Sequence, residues 1–372
     1  MEKSKVYYTN LRTYGQTNLL EKLEKLIKKA GISKIDFEDK FTVIKIHFGE
    51  PGNLAYLRPN YAKRVVDVVK GFQGKPFLSD CNTLYVGRRK NGLDHMDAAY
   101  ENGYNPFATG CHVIIADGIK GIDEELVAVD HPNKKHVNEA KIGKAFMEAD
   151  VFISLNHFKG HEATGFGGAL KNIGMGCGSR AGKMEMHYSG KPEVNENHCR
   201  SCGACIKNCA HDAISFDTSG KAHINHEKCV GCGRCIGSCN FDAIRAKQTS
   251  ANDILNEKIA EYSYAVLKNR PHFHISLVID VSPYCDCHNN NDLPISPDVG
   301  IFASFDPVAL DVACADAVNN TPVIPGSRLS EMEQTTHDHF IDNHPETNWK
   351  SCIAHAVSLG IGNDEYELIE VK

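Results

Sequence analysis

Two cysteine runs with identical spacing carry the strongest chemical signal in this chain of 372 residues. Eight of its fifteen cysteines fall in these runs, and the second run repeats the first 30 residues later. The runs are Cys199-x2-Cys202-x2-Cys205-x3-Cys209 and Cys229-x2-Cys232-x2-Cys235-x3-Cys239. Cysteines at positions i, i+3 and i+6 of a tight loop can bind three irons of one cubane cluster, and the remaining iron then needs a ligand from elsewhere. The spacing therefore predicts two [4Fe–4S] clusters.

The fourth cysteine of each run is predicted to bind the cluster of the other run, as in two-cluster ferredoxins. One cluster then uses Cys199, Cys202, Cys205 and Cys239, and the other uses Cys229, Cys232, Cys235 and Cys209. A pair of zinc ribbons is the alternative, but zinc sites usually keep their two cysteine pairs further apart. Ala210 and Asn240 stand where bacterial ferredoxins have proline, so the loop exits differ while the ligands remain.

A second candidate site lies in residues 154–177, where histidines, lysines and glycines follow a predicted buried strand. Ligands of open α/β sheets bind beyond the carboxyl ends of strands, and glycines before a helix expose N–H groups that bind anions. The expected catalytic residues are His157, Lys159, His161 and Lys171, and the expected cofactor-binding residues are Gly165, Gly167, Gly168 and Asn172. The segment matches neither a dinucleotide-binding nor a Walker A fingerprint. A glycine-rich turn with solvated charges is the alternative.

Cys285 and Cys287 are separated by one residue and lie just past another predicted strand. In an extended chain, two such cysteines point to the same side. Together with Cys177, they are expected to supply three thiolates to a third metal or iron–sulfur centre. A further ligand could come from His157, His161 or His288. The alternatives are packing of free thiols and a redox-active cysteine pair.

Polar residues also follow two other predicted strands, at residues 47–53 and 80–83, with Arg88 and Arg89 after the second. Because the carboxyl ends of parallel strands meet at one edge of a sheet, these strand ends and the two described above suggest a shared cleft. For His47 alone, a hydrogen-bonded histidine at a strand end is the simpler interpretation.

The composition, with 42% hydrophobic and 24% charged residues, is that of a globular protein. A net charge of −6 argues against an overall nucleic-acid-binding surface. The apolar runs have strand length, and none approaches the ~20 residues that span a bilayer. The first residues form no apolar signal-peptide core, so we expect a cytoplasmic protein. In that setting, metal binding explains fifteen cysteines better than disulfides do.

Strand-like and helix-like segments alternate outside the cysteine runs, which predicts an α/β fold with a mainly parallel sheet. Predicted strands include 41–47, 76–80, 151–156, 274–281 and 299–304, and predicted helices include 18–30, 59–72, 93–102, 141–149 and 250–268. Thr17 is the expected cap of the first helix, and Asp306 with Pro307 opens a later one. Residues 1–190 and 249–372 are expected to form one α/β host domain. Residues 191–248 are expected to be an inserted α+β ferredoxin-like domain with two [4Fe–4S] clusters.

Residues 191–248 resemble the bacterial two-cluster ferredoxins, and nearly the whole chain resembles the domain-of-unknown-function 362 iron–sulfur proteins of anaerobic bacteria and archaea. The motifs that carry the second resemblance are residues 46–50, 80–83, 157–161, 167–174, 283–287, 298–304 and 306–311. The block around Lys171 and Asn172 and the last motif are the most specific. The resemblance implies an anaerobic redox context, and it names no reaction.

Three functions fit these features. The first is an oxidoreductase in which the ferredoxin-like insert exchanges electrons with a site in the host. The others are a non-catalytic electron-transfer protein and a metal or cluster carrier or assembly factor. A host several times longer than the insert favours the enzyme, whereas the lack of a nicotinamide or flavin fingerprint weakens it. A redox partner protein is expected, and the basic side chains suggest a small anionic substrate.

Overall fold

Strands and helices alternate along most of the computed structural model, which describes residues 3–13, 15, 17–84, 87–187, 191–209, 211–229, 235, 239, 241, 243–246 and 252–372. The strands are β1 (Ser4–Asn10), β2 (Phe41–Lys45), β3 (Lys75–Asp80), β4 (Val113–Ile115), β5 (Glu124–Ala128), β6 (Glu139–Gly143), β7 (Val151–His157), β8 (Lys159–His161), β9 (Gly165–Gly167), β10 (Pro192–Val194), β11 (Ile214–Phe216), β12 (Ala222–Ile224), β13 (Ile244–Ala246), β14 (His272–Val278), β15 (Gly300–Ser304) and β16 (Tyr366–Glu370). The helices are α1 (Leu19–Lys29), α2 (Pro59–Gly71), α3 (Gly92–Glu101), α4 (Pro106–Thr109), α5 (Lys144–Glu148), α6 (Ala169–Cys177), α7 (Arg180–His187), α8 (Ala204–Lys207), α9 (Asn252–Leu267), α10 (Pro307–Asn319), α11 (Arg328–Glu331), α12 (His339–Asn343) and α13 (Trp349–Ser358).

Eight strands form one sheet in the order β16–β1–β15–β14–β7–β2–β3–β4. Five of its seven neighbouring pairs are parallel, and β15 is antiparallel to both of its neighbours. Strand β14, which follows residues 191–248, lies parallel to β7, which precedes them. The predicted α/β class with a mainly parallel sheet is therefore confirmed, and strands from both sides of that segment share the sheet.

Helices cover both faces of this sheet. Because neighbouring side chains of a strand point to opposite faces, Phe152 of β7 packs in one apolar layer and Ile153 in the other. The first layer is completed by α6, α9 and α10, and the second by α1 and α2. Within the described residues, no helix combines the length and the apolar character needed to cross a bilayer.

Two predicted helix starts have different outcomes. Helix α1 is capped by Asn18 and not by Thr17, because the Asn18 side chain accepts the N–H groups of Leu20 and Glu21 and Glu21 reaches back to the Asn18 N–H. Helix α10 begins as predicted, with Asp306 accepting two N–H groups and proline in the first position.

The helix predicted over residues 141–149 is wrong in its first part. Residues 139–143 form β6, which pairs antiparallel with β5, and only residues 144–148 are helical. Ala140 and Ile142 are buried on the same side of this ribbon, so tertiary pairing overrides the weak helical pattern.

The cysteine-rich segment contains two short antiparallel ribbons. Strand β10 precedes the first cysteine run and pairs with β13, which follows the second run. Strand β11 follows the first run and pairs with β12, which precedes the second. This pairing brings the beginning of each run close to the end of the other.

Gly174 lies where α6 crosses α9, and we expect Gly174→Ala to destabilise the host. A Cβ at this position would lie 2.2 Å from the carbonyl oxygen of Ile259 and 2.8 Å from Oγ of Ser263. The free energy of unfolding, measured by urea denaturation, should fall by ~1–3 kcal/mol, as for other overpacked positions. Gly71→Ala is the matched control, since a Cβ there meets nothing within 4 Å and should leave stability unchanged or slightly higher. Equal effects of the two substitutions would contradict this account.

Candidate functional site

Four strand ends meet at one cavity of about 800 Å³. The strands β14, β7, β2 and β3 are neighbours and all run parallel, so their carboxyl ends lie at the same edge of the sheet. Asp80 and His157 end β3 and β7, His47 and Cys285 lie in the loops that follow β2 and β14, and all four line the cavity. The expected catalytic residues Lys159, His161 and Lys171 also line it.

Cys285 and Cys287 lie beside His161 in this cavity. One ring nitrogen of His161 and the two cysteine sulfurs all lie within 4.8 Å of one another. Among the described residues, these three side chains are the ones grouped closely enough to hold a metal ion. The Cys287 N–H donates to Sγ of Cys285 at 3.4 Å, and Nζ of Lys171 lies 3.7 Å from the same sulfur. A hydrogen bond from the Cys287 thiol, together with the charges of Lys171 and Lys159, lowers the pKa of Cys285. The same hydrogen bond and burial raise the pKa of Cys287. Cys285 is thus the member of the pair that ionises.

Asp286, between the two cysteines, is a fully buried carboxylate at the centre of a charged network. It lies 2.8 Å from Nζ of Lys159 and 3.3 and 3.4 Å from Nδ1 of His157 and His47. Although burial alone would raise the pKa of Asp286, these partners hold it well below its usual value. Asp286 in turn raises the pKa of Lys159 against the opposing effect of burial. Lys159 is therefore held as a cation in the cavity wall.

The strand β8 and the loop before Cys285 are pressed together at Gly160. The Gly160 N–H donates to the carbonyl of Ser282, and a Cβ on Gly160 would lie 2.4 Å from the carbonyl oxygen of Pro283. Only glycine permits this approach. Because side chains alternate along a strand, Lys159 and His161 share the face that meets the cysteine loop.

A second buried network supports the opposite wall. Lys45 is fully buried, 3.0 Å from Asp80 and 2.7 Å from Oδ1 of Asn172. The amide nitrogen of Asn172 donates to Asn156, so both ends of the Asn172 amide already have hydrogen-bond partners within the protein. Asn172 borders the cavity, but its contacts make it a support for Lys45 and not a free ligand group.

The glycine-rich segment does not present an open anion site at the start of α6. The N–H groups of Ala169 and Leu170 donate to the two oxygens of Asp311, which is buried on α10. A Cβ on Gly168 would lie 2.2 Å from Asp311, so this glycine makes room for that carboxylate. Burial raises the pKa of Asp311 to about 7. Asp311 thus accepts the hydrogen bonds from the N–H groups that the sequence analysis expected to bind an anionic ligand.

The remaining glycines have distinct positions. Gly167 and Gly168 line the cavity, whereas Gly165 adopts φ +81° and packs against Trp349. Gly165 is outside the cavity wall, and its positive φ is a conformation that glycine adopts readily.

Cys177 takes no part in the Cys285–Cys287 group among the described residues. It is fully buried at the end of α6, where its carbonyl accepts the thiol of Cys81 at 3.4 Å. Burial raises the pKa of Cys177 to about 12, which disfavours a thiolate. The third member of the group with Cys285 and Cys287 is therefore His161, where the sequence analysis expected Cys177.

Three cysteines of the first run and the last cysteine of the second border one small cavity. They are Cys199, Cys202, Cys205 and Cys239. The N–H of Ala222 donates to the sulfur of Cys199 at 3.5 Å, and that of Ala213 to the sulfur of Cys209 at 3.3 Å. Of the other predicted set, Cys209, Cys229 and Cys235 contact the same apolar cluster, and Cys232 lies outside the described residues.

This apolar cluster also contains two residues of the host, Leu84 and Met184. Leu84 lines the 800 Å³ cavity as well. One side chain thus connects the surroundings of the cysteine runs with the wall of the large cavity.

Sequence reasoning missed Asp286, Lys45 and Asp311 as parts of the site. Asp286 had a signal, because an acidic residue between two cysteines at a strand end is surrounded by ligand-type groups. Asp311 is 142 residues from Ala169 and had no local signal.

Comparison with known proteins gives a family and two solved structures of low similarity. The family described as "Domain of unknown function (DUF362)" matches residues 42–316. The lactate racemase apoprotein of Thermoanaerobacterium thermosaccharolyticum has 13% identity and a TM-score of 0.39, over 86% of this chain and 58% of that one. A Thermotoga maritima protein has 12% identity and a TM-score of 0.39, over 80% of this chain and 58% of its own. No curated protein matches the sequence. The family match covers most of the chain, which therefore belongs to the DUF362 family.

Proposed function

We propose that the protein is an iron–sulfur oxidoreductase, in which residues 191–248 hold two [4Fe–4S] clusters and exchange electrons with the large cavity of the host. One observation carries the proposal: Cys199, Cys202, Cys205 and Cys239 border a single cavity although the last is 34 residues from its nearest partner. This is the ligand set that the spacing predicts for one cubane.

The surroundings of these sulfurs fit a cluster. Pairing of β10 with β13 sets Cys239 beside the run that begins at Cys199, and pairing of β11 with β12 does the same for Cys209 and Cys229. Cluster sulfurs are stabilised by N–H donors and apolar cover, and both occur here. Cys229, Cys232, Cys235 and Cys209 form the proposed second ligand set. When bound, the clusters would supply electrons one at a time.

The host residues give the cavity its charge. Six lysine and arginine side chains of the described residues line it, against three carboxylates. Lys159 is fixed by Asp286, whereas Lys171 approaches Cys285 from the other side. This excess of positive charge favours a small anionic substrate. His157 has a positioning role, because its two ring nitrogens face Asp286 and the carbonyl of Ile279.

Iron and acid-labile sulfide analysis of anoxically purified protein tests the proposal. We expect about eight irons and eight sulfides per chain, with visible absorbance that dithionite bleaches. Cys111→Ser is the control, because Cys111 lies in a separate apolar core and its loss should leave the iron content unchanged. Two zinc ions per chain without sulfide would refute the cluster assignment.

A further inference from the structure

Cys285 and Cys287 are not among the proposed cluster ligands, so their thiols are available for another reaction. We propose that they form a redox pair. A small anionic substrate that acts as a two-electron oxidant in the cavity takes two electrons from the dithiol, which becomes a disulfide, and the clusters of residues 191–248 reduce this disulfide again. The electron source in this inference rests on the proposed function, whereas the pair itself is argued from the cavity.

The two sulfurs are placed for bond formation. They lie within 4.8 Å of one another, and both border the 800 Å³ cavity. Cysteines separated by one residue can have Cα atoms within the range of a disulfide, and a sulfur separation of no more than 4.8 Å leaves only a short approach to a bond. The pair can therefore form a bond and also meet a ligand in the cavity.

Donors converge on one of the two sulfurs. The Cys287 N–H lies 3.4 Å and the Lys171 ammonium 3.7 Å from Sγ of Cys285. In the described part of the chain, Lys171 forms no ion pair with a carboxylate, so its charge is directed at this sulfur. A thiolate near a cation and an N–H donor is the reactive form in thiol–disulfide chemistry.

The bonding of His161 favours a thiolate over a metal. Its Nδ1 accepts the N–H groups of Ala163 and Thr164 at 3.1 and 3.2 Å, so in the neutral ring the proton is on Nε2. A histidine that binds a metal normally donates its other ring N–H to an acceptor, and here that nitrogen is itself the acceptor. Nε2–H is free to donate to the Cys285 thiolate, which His161 contacts.

The electron count matches the clusters. Reduction of the disulfide takes two electrons and one proton, breaks the S–S bond, and yields a thiolate at Cys285 and a thiol at Cys287. Two one-electron carriers in the insert supply these two electrons. Leu84 belongs to the apolar cluster around the cysteine runs and also lines the cavity, so it connects the two.

Peptide mass spectrometry tests whether the pair exists. Holoprotein is treated with diamide, and its thiols are then alkylated with iodoacetamide after unfolding. We expect the peptide with Cys285 and Cys287 to lose two hydrogens and to carry no alkyl group, and Cys285→Ser or Cys287→Ser to abolish this product. The control Cys111→Ser should leave it unchanged, because Cys111 lies in a separate core.

The electron source is tested in a second arm. The oxidised protein is exposed to dithionite, and recovery of the dithiol is compared with a Cys199→Ala/Cys209→Ala variant that removes a ligand from each proposed cluster. We expect recovery at least tenfold slower in the variant, and equal recovery of both proteins with dithiothreitol. Equal rates with dithionite would overturn the proposed route.

The outcomes separate the two proposals. Eight irons without a disulfide would overturn the redox pair and leave the proposed function standing. A disulfide in a protein without iron would refute the proposed function and with it the electron source. Native thiols that resist iodoacetamide, with bound metal beyond the eight irons, would assign the group to a metal centre and overturn the redox pair.

Lys171→Met tests the thiolate directly. Alkylation of Cys285 in the reduced native protein at pH 7 should slow on the order of tenfold, because a charged donor to the thiolate is lost. Its pH profile should shift to higher pH, and Lys171→Arg should restore part of the rate. Lys63→Met is the control, since Lys63 is exposed and pairs with Asp67 on α2. An unchanged pH profile would show that Lys171 does not stabilise the thiolate.

Discussion

A variant that lacks both Cys199 and Cys239 should lose no more iron than one cluster contains. These residues are 40 positions apart, but they border the same cavity and are proposed ligands of one cubane. About four irons per chain should therefore remain, bound by the other ligand set. By contrast, a variant that lacks Cys199 and Cys209, which belong to the same run, should damage both clusters and retain well below four irons.

The two double variants are matched controls for each other, because each removes two cysteines from the same segment. Iron and sulfide analysis, with electron paramagnetic resonance after reduction, distinguishes them. If the Cys199–Cys209 variant kept a full cluster and the Cys199–Cys239 variant kept none, each run would bind its own cluster and the exchange of ligands would be ruled out.

Replacement of Asp286 by asparagine should cause the largest loss of stability in the host. The substitution leaves Lys159 buried without its carboxylate, which lies 2.8 Å away in the native protein. Loss of one partner of a buried ion pair typically costs ~3–5 kcal/mol. The free energy of unfolding should fall by this amount in urea denaturation. Asp67→Asn, on an exposed pair with Lys63, should change it by ~0.5 kcal/mol or less.

A double variant and a pH series check the cause of this loss. Asp286→Asn with Lys159→Met should recover part of the stability, since the unpaired cation is then removed. The pKa of Asp286 is lowered in the folded protein, so its contribution is complete above the unfolded value of ~4 and is lost as the pH falls below it. The difference between native and Asp286→Asn protein should thus shrink only below about pH 4. A loss that is independent of Lys159 would indicate a packing effect.

The sequence predicts those parts of the site that depend on local spacing or on strand direction. The cysteine runs are local, so the proposed ligand set that includes Cys199 and Cys239 follows from their spacing and repeat. The strand ends at His47 and His157 meet because parallel strands share an edge.

The parts that depend on distant packing are not predictable in this way. Cys177 and His161 lie in the same segment and both are ligand-type residues, and only the turn at β8 and β9 decides that His161 faces the cysteine pair. Asp311 reaches the start of α6 from a helix more than a hundred residues away. A pattern of glycines cannot reveal that the chain itself supplies the carboxyl group that accepts these N–H bonds.

Pro192 and Ala246 face each other across the β10–β13 ribbon, and this has an evolutionary consequence. Residues opposite each other in an antiparallel pair have Cα atoms only ~5 Å apart, so the chain enters and leaves the cysteine-rich segment at nearly the same point. A segment whose two ends are adjacent can be inserted into a loop, or deleted from it, in one genetic event. The rest of the fold is then little disturbed, because the two ends of the loop stay about one strand spacing apart. A DUF362 protein without this segment would then keep the same sheet order, with a short loop connecting α7 to α9.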